Sequence, residues 1–147
     1  MGLKLHQDIP SEPLFENAPE HRSTGYNGSS HKIDVTPGSI LFEAAGNKKT
    51  MEVNSYHHQA VVYFEQHPKL KITATEGDHR LVEAMEFKNG LGYTFQFHPE
   101  EMQNELSRRM LKMVVDKTKE AMERKASQAT KAETSLNISK KKCKSIF

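Results

Sequence analysis

Two short stretches of the chain carry side chains that move protons or grip polar ligands. One is His98-Pro99-Glu100, at the end of "YTFQFHPE"; the other is Asn54, Ser55, His57, His58 and Gln59 in "VNSYHHQAV". A histidine with a carboxylate two residues on supplies two members of a nucleophilic triad. The carboxylate fixes the imidazole tautomer through Nδ1–H, and Nε2 is left to take a proton from a thiol or hydroxyl. Pro99 has no amide proton for a sheet ladder and holds φ fixed, so a strand ending at His98 is followed by a turn that returns Glu100 to the ring. An isolated His-Pro-Glu is more often a surface histidine beside a proline turn, because triads are defined by geometry and not by short strings. A third member is therefore needed. The single cysteine, Cys143, follows three lysines near the C-terminus. Lysines lower a thiol pKa, but no glycine-flanked strand–helix turn holds this one in the geometry that covalent catalysis requires. The His57-His58 pair reads as a solvated turn or as part of a binding site. A metal site needs three or four converging ligands, which the sequence does not assemble, so neither a metal nor another cofactor is expected.

The elements that must hold these residues are read from hydrophobic period and turn chemistry. Residues 10 to 31 are rich in Pro, Ser, Gly and Asn and read as a long connecting loop. Ile33 and Val35 alternate as a strand before the turn Thr36-Pro37-Gly38-Ser39, and Ile40, Leu41 and Phe42 open a second strand or a short helix. "MEVNSYHHQAVVYF" carries a strand into the polar cluster and out again. Leu70, Ile72 and Ala74 alternate, a turn passes through Glu76-Gly77-Asp78, and the alternation resumes from Leu81 to Phe87, which predicts a hairpin. "LGYTFQF" is a further strand, with Tyr93, Phe95 and Phe97 on one face and Thr94, Gln96 and His98 on the other. From Glu101 the period becomes helical, with Met102, Leu106, Met110, Met113 and Val114 as its apolar stripe, and the helix is expected to end near Arg124. No internal repeat is present.

Composition sets the outer bounds. With 147 residues, 35% hydrophobic content and a mean hydropathy of −0.73, the chain has the length of one domain at the polar end of the globular class. No run reaches the roughly 18 apolar residues of a membrane span, and the N-terminus lacks an apolar signal core, so a soluble, cytoplasmic protein without membrane contact is expected. His6 stands where myristoylation needs Ser or Thr, and Cys143 is fifth from the end where prenylation needs the fourth. From Arg124 onward seven Lys or Arg face the single Glu133, which leaves residues 1 to 123 at net −4 within a total of +2. Residues 127–147 are expected to be a basic, disordered tail behind a domain spanning 1–126. Without interleaved aromatic residues, that tail reads as a solvated end and not as a nucleic-acid surface.

Taken in order and spacing, "GLKLHQDI", "HKIDVTPGSIL", "VNSYHHQAV" and "VEAMEF" followed by "FQFHPE" resemble the class I glutamine amidotransferase-like family. The branch they resemble most contains gamma-glutamyl-gamma-aminobutyrate hydrolase. The resemblance covers residues 2 to 115 and implies an α/β fold: the C-terminal portion of a doubly wound, flavodoxin-like domain with one C-terminal helix. It also implies that His98 is the general base and Glu100 its orienting carboxylate, and that Asn54, Ser55, His57, His58 and Gln59 shape a gamma-glutamyl substrate pocket. The family's nucleophile sits in a Gly-x-Cys-x-Gly elbow between a strand and a helix, and no such motif occurs in this sequence. Gly2 aligns just downstream of that elbow. The resemblance thus implies a split-enzyme half that works with a complementary N-terminal chain, or an inactive remnant. A non-enzymatic binding protein that reuses the scaffold is the other class of function. Strands from a parallel sheet need cover on both faces, so such a portion is expected to pair with a second chain or to be marginally stable.

Overall fold

The computed structural model describes residues 2 to 21 and 29 to 144. In chain order the elements are β1 (Leu5–His6), β2 (Ser29–Val35), α1 (Ile40–Ala44), β3 (Thr50–Ser55), β4 (Ala60–Val61), β5 (Leu70–Glu76), β6 (Leu81–Phe87), β7 (Tyr93–Phe95) and α2 (Glu105–Lys144). Two 3₁₀ turns at Ile9–Ser11 and Pro13–Phe15 lie between β1 and β2. Five strands form one sheet in the order β3-β2-β5-β6-β7, every neighbouring pair antiparallel, and β1 pairs with β4 in a separate two-stranded ladder. By contact the chain divides into two units, Met1–Met113 and Val114–Phe147.

Local chemistry explains the boundaries. Gly38 takes a φ of 77° in the turn after β2, a conformation glycine adopts without a Cβ penalty. Ser39 then caps α1 by accepting a hydrogen bond from the Phe42 N–H at 3.0 Å. The Ile40 N–H, which has no partner inside a helix, donates to Glu86 Oε1 at 2.5 Å, and Glu86 Oε2 meets Lys71 Nζ at 2.8 Å. Ile40, Leu41 and Phe42 are therefore helical, the second of the two alternatives their pattern allowed. The predicted hairpin is present as β5 and β6, in register from Leu70 opposite Phe87 to Glu76 opposite Leu81.

Strand β6 is buried at every position from Leu81 to Glu86. Ala84 belongs to the main core with Ile33, Val35, Leu41, Met51, Val53, Phe97 and Met110, against which Leu106 and Met113 pack. Leu81 packs with Ile9, Phe15 and Ala60, while Val82 and Met85 pack near Leu3, Val61, Tyr63 and Phe64. The stretch 10 to 31, expected to be a plain connecting loop, is thus in part a covering segment anchored by Phe15 beside the preceding Ile9, and its last three residues, 29 to 31, belong to β2. Residues 22 to 28 of that stretch lie outside the described residues.

The helix boundaries differ from expectation at both ends. Residues 99 to 101 form turns, and Gln103 takes a φ of 48° just before the helix. Asn104 provides the cap, its Oδ1 accepting from the Ser107 N–H at 2.8 Å, so α2 begins at Glu105 and not at Glu101. At the other end the helix continues past Arg124, where it was expected to end, to Lys144. No Gly or Pro occurs after Pro99 to stop it, and Ala and Lys are strong helix formers. Residues 123 to 131 are exposed, and Ile146 and Phe147 lie outside the described residues. Among the described residues no helix is long and apolar enough to cross a membrane.

Because residues 123 to 131 are exposed, a chain ending at Ala126 is expected to lose helical circular dichroism while keeping its urea midpoint, within about 0.5 kcal/mol in stability. Loss of cooperative unfolding on that truncation would show that the terminal helix supports the fold.

Candidate active site

Phe97 is buried in the main core and fixes the chain as it leaves β7. A turn follows in which the Glu101 N–H donates to the His98 carbonyl at 3.1 Å, with Pro99 in the position where its fixed φ is favoured. Glu100 is the next residue of that turn, and its Oε1 lies 2.8 Å from His98 Nδ1. A carboxylate only accepts, so the proton of this bond sits on Nδ1 and Nε2 carries the lone pair. The His98 hydrogen bond, followed by one from its own backbone, holds the Glu100 carboxyl below the usual carboxylate range. His98 is 44% exposed and Glu100 60%, so the pair faces solvent. The spacing of two residues around a proline brings the imidazole and the carboxylate into contact.

Asn54, the first of the predicted binding residues, holds the backbone of His98. Its Nδ2 donates to the His98 carbonyl and its Oδ1 accepts the His98 N–H, both at 3.0 Å. A side-chain amide has one donor group and one acceptor on the same end, which matches a residue's own N–H and C=O. The Tyr56 ring meets the His98 imidazole edge-on, with centroids 5.7 Å apart.

The other residues of the motif point elsewhere. Ser55 is fully buried, and its Oγ donates to the His21 carbonyl at 3.1 Å. His57 is buried too, with Nδ1 3.0 Å from the Gln59 carbonyl and Nε2 3.5 Å from Glu83 Oε1. His58 is exposed, and the Gln59 amide donates to Gln7 Oε1 at 3.0 Å. Only Asn54 of the five is hydrogen-bonded to the dyad.

Behind Ser55 and His57 lies a group of side chains that the sequence did not single out. Glu83 is completely buried in β6, with His31 Nε2 3.3 Å and His21 Nδ1 3.9 Å from its Oε1. Burial first, then the nearby His31 and His57, lowers the His21 pKa to about 4, so this ring is neutral at physiological pH. Burial opposes ionisation of Glu83, yet His31 and His57 outweigh it and hold its carboxyl below the ordinary range. The signals were available: His31 shares the buried face of β2 with Ile33 and Val35, and Glu83 shares one face of β6 with the apolar Leu81, Met85 and Phe87.

A cavity of about 650 Å³ lined by Tyr63, Phe64, His67, Leu70 and Lys88 includes neither member of the dyad. The family whose sequence model matches the chain is described as Peptidase C26, over residues 1–100. A curated relative, Protein NtpR of Enterococcus hirae, is 34% identical over 102 residues, which is 68% of this chain and 41% of the relative. Among solved structures, a protein from Thermoplasma acidophilum assigned as a GMP synthase subunit superposes with a TM-score of 0.61 at 16% identity, covering 85% of this chain and 53% of that one. The glutaminase domain of Trypanosoma brucei CTP synthase, with bound acivicin, gives 0.53 at 20% identity, covering 61% and 39%. The fold is therefore that of glutamine amidotransferase domains. The chain spans less than half the length of the curated relative and about half or less of these structures.

Replacing Asn54 with Ala is expected to cost about 1–3 kcal/mol, because it leaves the His98 N–H without its partner. The His98 imidazole resonances should move as the ring loses its fixed backbone, which NMR beside urea unfolding would read. An unchanged His98 signal would show that the turn alone orients the base.

Proposed function

The chain belongs to the Peptidase C26 family, and from that we propose that His98 and Glu100 are the base and orienting carboxylate of a cysteine-dependent gamma-glutamyl amide hydrolase. The nucleophilic thiol is supplied by a polypeptide segment other than residues 1–147. The observation that carries this reading is the 2.8 Å contact between His98 Nδ1 and Glu100 Oε1 on a half-exposed ring. That tautomer suits Nε2 to take the proton of an incoming thiol. The thiolate attacks the gamma-glutamyl amide carbon, His98 returns the proton to the leaving amine, and water hydrolyses the thioester with the same imidazole as base. Two further elements of this mechanism, a Gly-x-Cys-x-Gly elbow and the amide donors that stabilise the oxyanion, belong to the complementary segment.

The five motif residues shape the gamma-glutamyl pocket by different routes in this proposal. Asn54 sets the position of His98. Ser55 and His57 fix the loop from inside, while His58 and Gln59 reach the surface where substrate arrives. Strand β1 pairs with β4, and the Ile9 N–H donates to the His58 carbonyl at 2.8 Å, so the N-terminal segment lies against this motif. That is where a chain leading from the nucleophile would join. The reaction belongs in the cytoplasm, with a small gamma-glutamyl amide as substrate and gamma-glutamyl-gamma-aminobutyrate as the amine-side choice that the motifs resemble.

The full chain alone is expected not to hydrolyse gamma-glutamyl amides. Combined with an N-terminal half of a related enzyme that carries the elbow cysteine, it should gain activity. In that complex His98→Ala should lower the rate by roughly 10⁴-fold or more, since the thiol loses its proton acceptor and the amine its donor. Glu100→Gln should cost less, and Cys143→Ser nothing. An active complex that tolerates His98→Ala but not Cys143→Ser would overturn the assignment, and failure to restore any activity would favour an inactive remnant.

A further inference from the structure

Three imidazoles surround one buried carboxylate, and ordinary hydrogen bonding does not account for them. His21, His31, His57 and Glu83 are each more than nine-tenths buried. Among the described residues, His21 Nε2, both nitrogens of His31, His57 Nε2 and both oxygens of Glu83 have no hydrogen-bond partner. Polar atoms removed from water in this way are unfavourable unless something binds them.

The tautomers sharpen the point. A carbonyl only accepts, so the His57 Nδ1–H donates to the Gln59 carbonyl at 3.0 Å, and a ring carrying that one proton turns a bare Nε2 toward Glu83. The Ser55 hydroxyl donates its hydrogen to the His21 carbonyl, so the contact of 3.0 Å between His21 Nδ1 and Ser55 Oγ has Nδ1–H as donor, and Nε2 of that ring is bare as well. The bare Nε2 of a neutral His57 ring thus faces a carboxylate oxygen 3.5 Å away, an arrangement that repels unless a proton or a cation lies between them. One proton on one ring would satisfy one of these contacts; a single cation satisfies several together. A carbonyl or hydroxyl that holds the far nitrogen of an imidazole is also the arrangement that orients histidine ligands in metal sites.

We propose that His21, His57 and Glu83, with His31 beside them, form a binding site for a divalent transition-metal ion of the zinc type. One ligand atom from each of His21, His57 and Glu83 lies within 4.8 Å of the others, close enough for one ion. Tetrahedral zinc with bonds of about 2.0–2.1 Å needs ligand atoms about 3.3 Å apart. Glu83 Oε1 already stands 3.3 Å from His31 Nε2 and 3.5 Å from His57 Nε2. The rings of His31 and His57 lie 4.5 and 4.8 Å from that of His21, measured between centroids. Imidazole and carboxylate donors suit zinc, cobalt and related ions, and not magnesium or calcium, which favour all-oxygen sites. The ion would be structural. It would tie the segment at His21 to β2, to β6 and to the loop after β3, a buried setting that suits a structural ion.

The test uses the full chain, stripped with a chelator and titrated with zinc and with cobalt. One equivalent per chain should bind, the thermal midpoint should rise with zinc concentration, and cobalt should give the visible spectrum of a tetrahedral site. Glu83→Gln and His57→Gln should each weaken binding by about a hundredfold or more, while His6→Gln, which disrupts the separate His6–Glu12 pair, should leave it unchanged. Imidazole NMR of the unaltered chain keeps the proposal falsifiable where variants do not fold: zinc should shift the His21 and His57 nitrogens while the His57 Nδ1–H is retained. A His57 ring protonated on both nitrogens and indifferent to zinc would replace the metal site with a buried ion pair. Binding that survives both substitutions would place the ion elsewhere, and either result overturns the proposal.

Discussion

The pair of hydrogen bonds between the Asn54 amide and the His98 backbone is the constraint around which this structure is organised. In the strand order β3-β2-β5-β6-β7, Asn54 is at the end of one edge strand and His98 follows the other. Five strands laid flat at about 4.8 Å spacing would keep those edges nearly 20 Å apart. The sheet must curl until they meet. Twist supplies part of this, and β2 helps by pairing with β5 only from Ile33 to Val35, so that its first half follows β3 away from the hairpin. The amide then closes the gap with one donor and one acceptor, a pairing that an ionised carboxylate, which only accepts, does not reproduce.

One strand end therefore serves two sites. Successive side chains of a strand face opposite ways, so Asn54 reaches the exposed dyad while Ser55 reaches the buried histidines. Two residues later His57 continues on the buried side, with its Nδ1–H on the Gln59 carbonyl. A disturbance at Glu83 would reach the base through this short run of backbone. The chain is continuous from the buried cluster to the clamp, with one peptide bond between Ser55 and Asn54.

Period-two and turn signals made much of this legible. The β5–β6 hairpin, the strand into the polar cluster and the return of Glu100 to His98 follow from alternation and from proline's fixed φ. The extent of α2 was less legible because two opposing effects govern it: the absence of an apolar face argued for disorder, while helix propensity without a breaker carries the helix to Lys144. Its start was set by an asparagine cap, which a heptad stripe starting at Met102 does not reveal. The histidine cluster was hidden for a different reason. His21, His31, His57 and Glu83 come from four separate segments, and only the folded register of β2, β3 and β6 brings them together. Their residue types on buried faces were visible; their convergence was not.

Exposure decides what the dyad can do by itself. A charge pair in water gains little, because the high dielectric screens it and long side chains resist being held, so the His98–Glu100 contact at 44% and 60% exposure is not what orders this region. The turn at Pro99 and the Asn54 amide supply the order, and they act on the backbone. Catalytic use of an oriented imidazole asks for more: a dry surround in which the developing imidazolium and the carboxylate attract strongly. Covering that face with a second segment would exclude water, and if the same segment delivers the thiol, it would bring nucleophile and dielectric together. Orientation in this chain and desolvation by another are separable contributions, and the geometry of the dyad is already complete without the second.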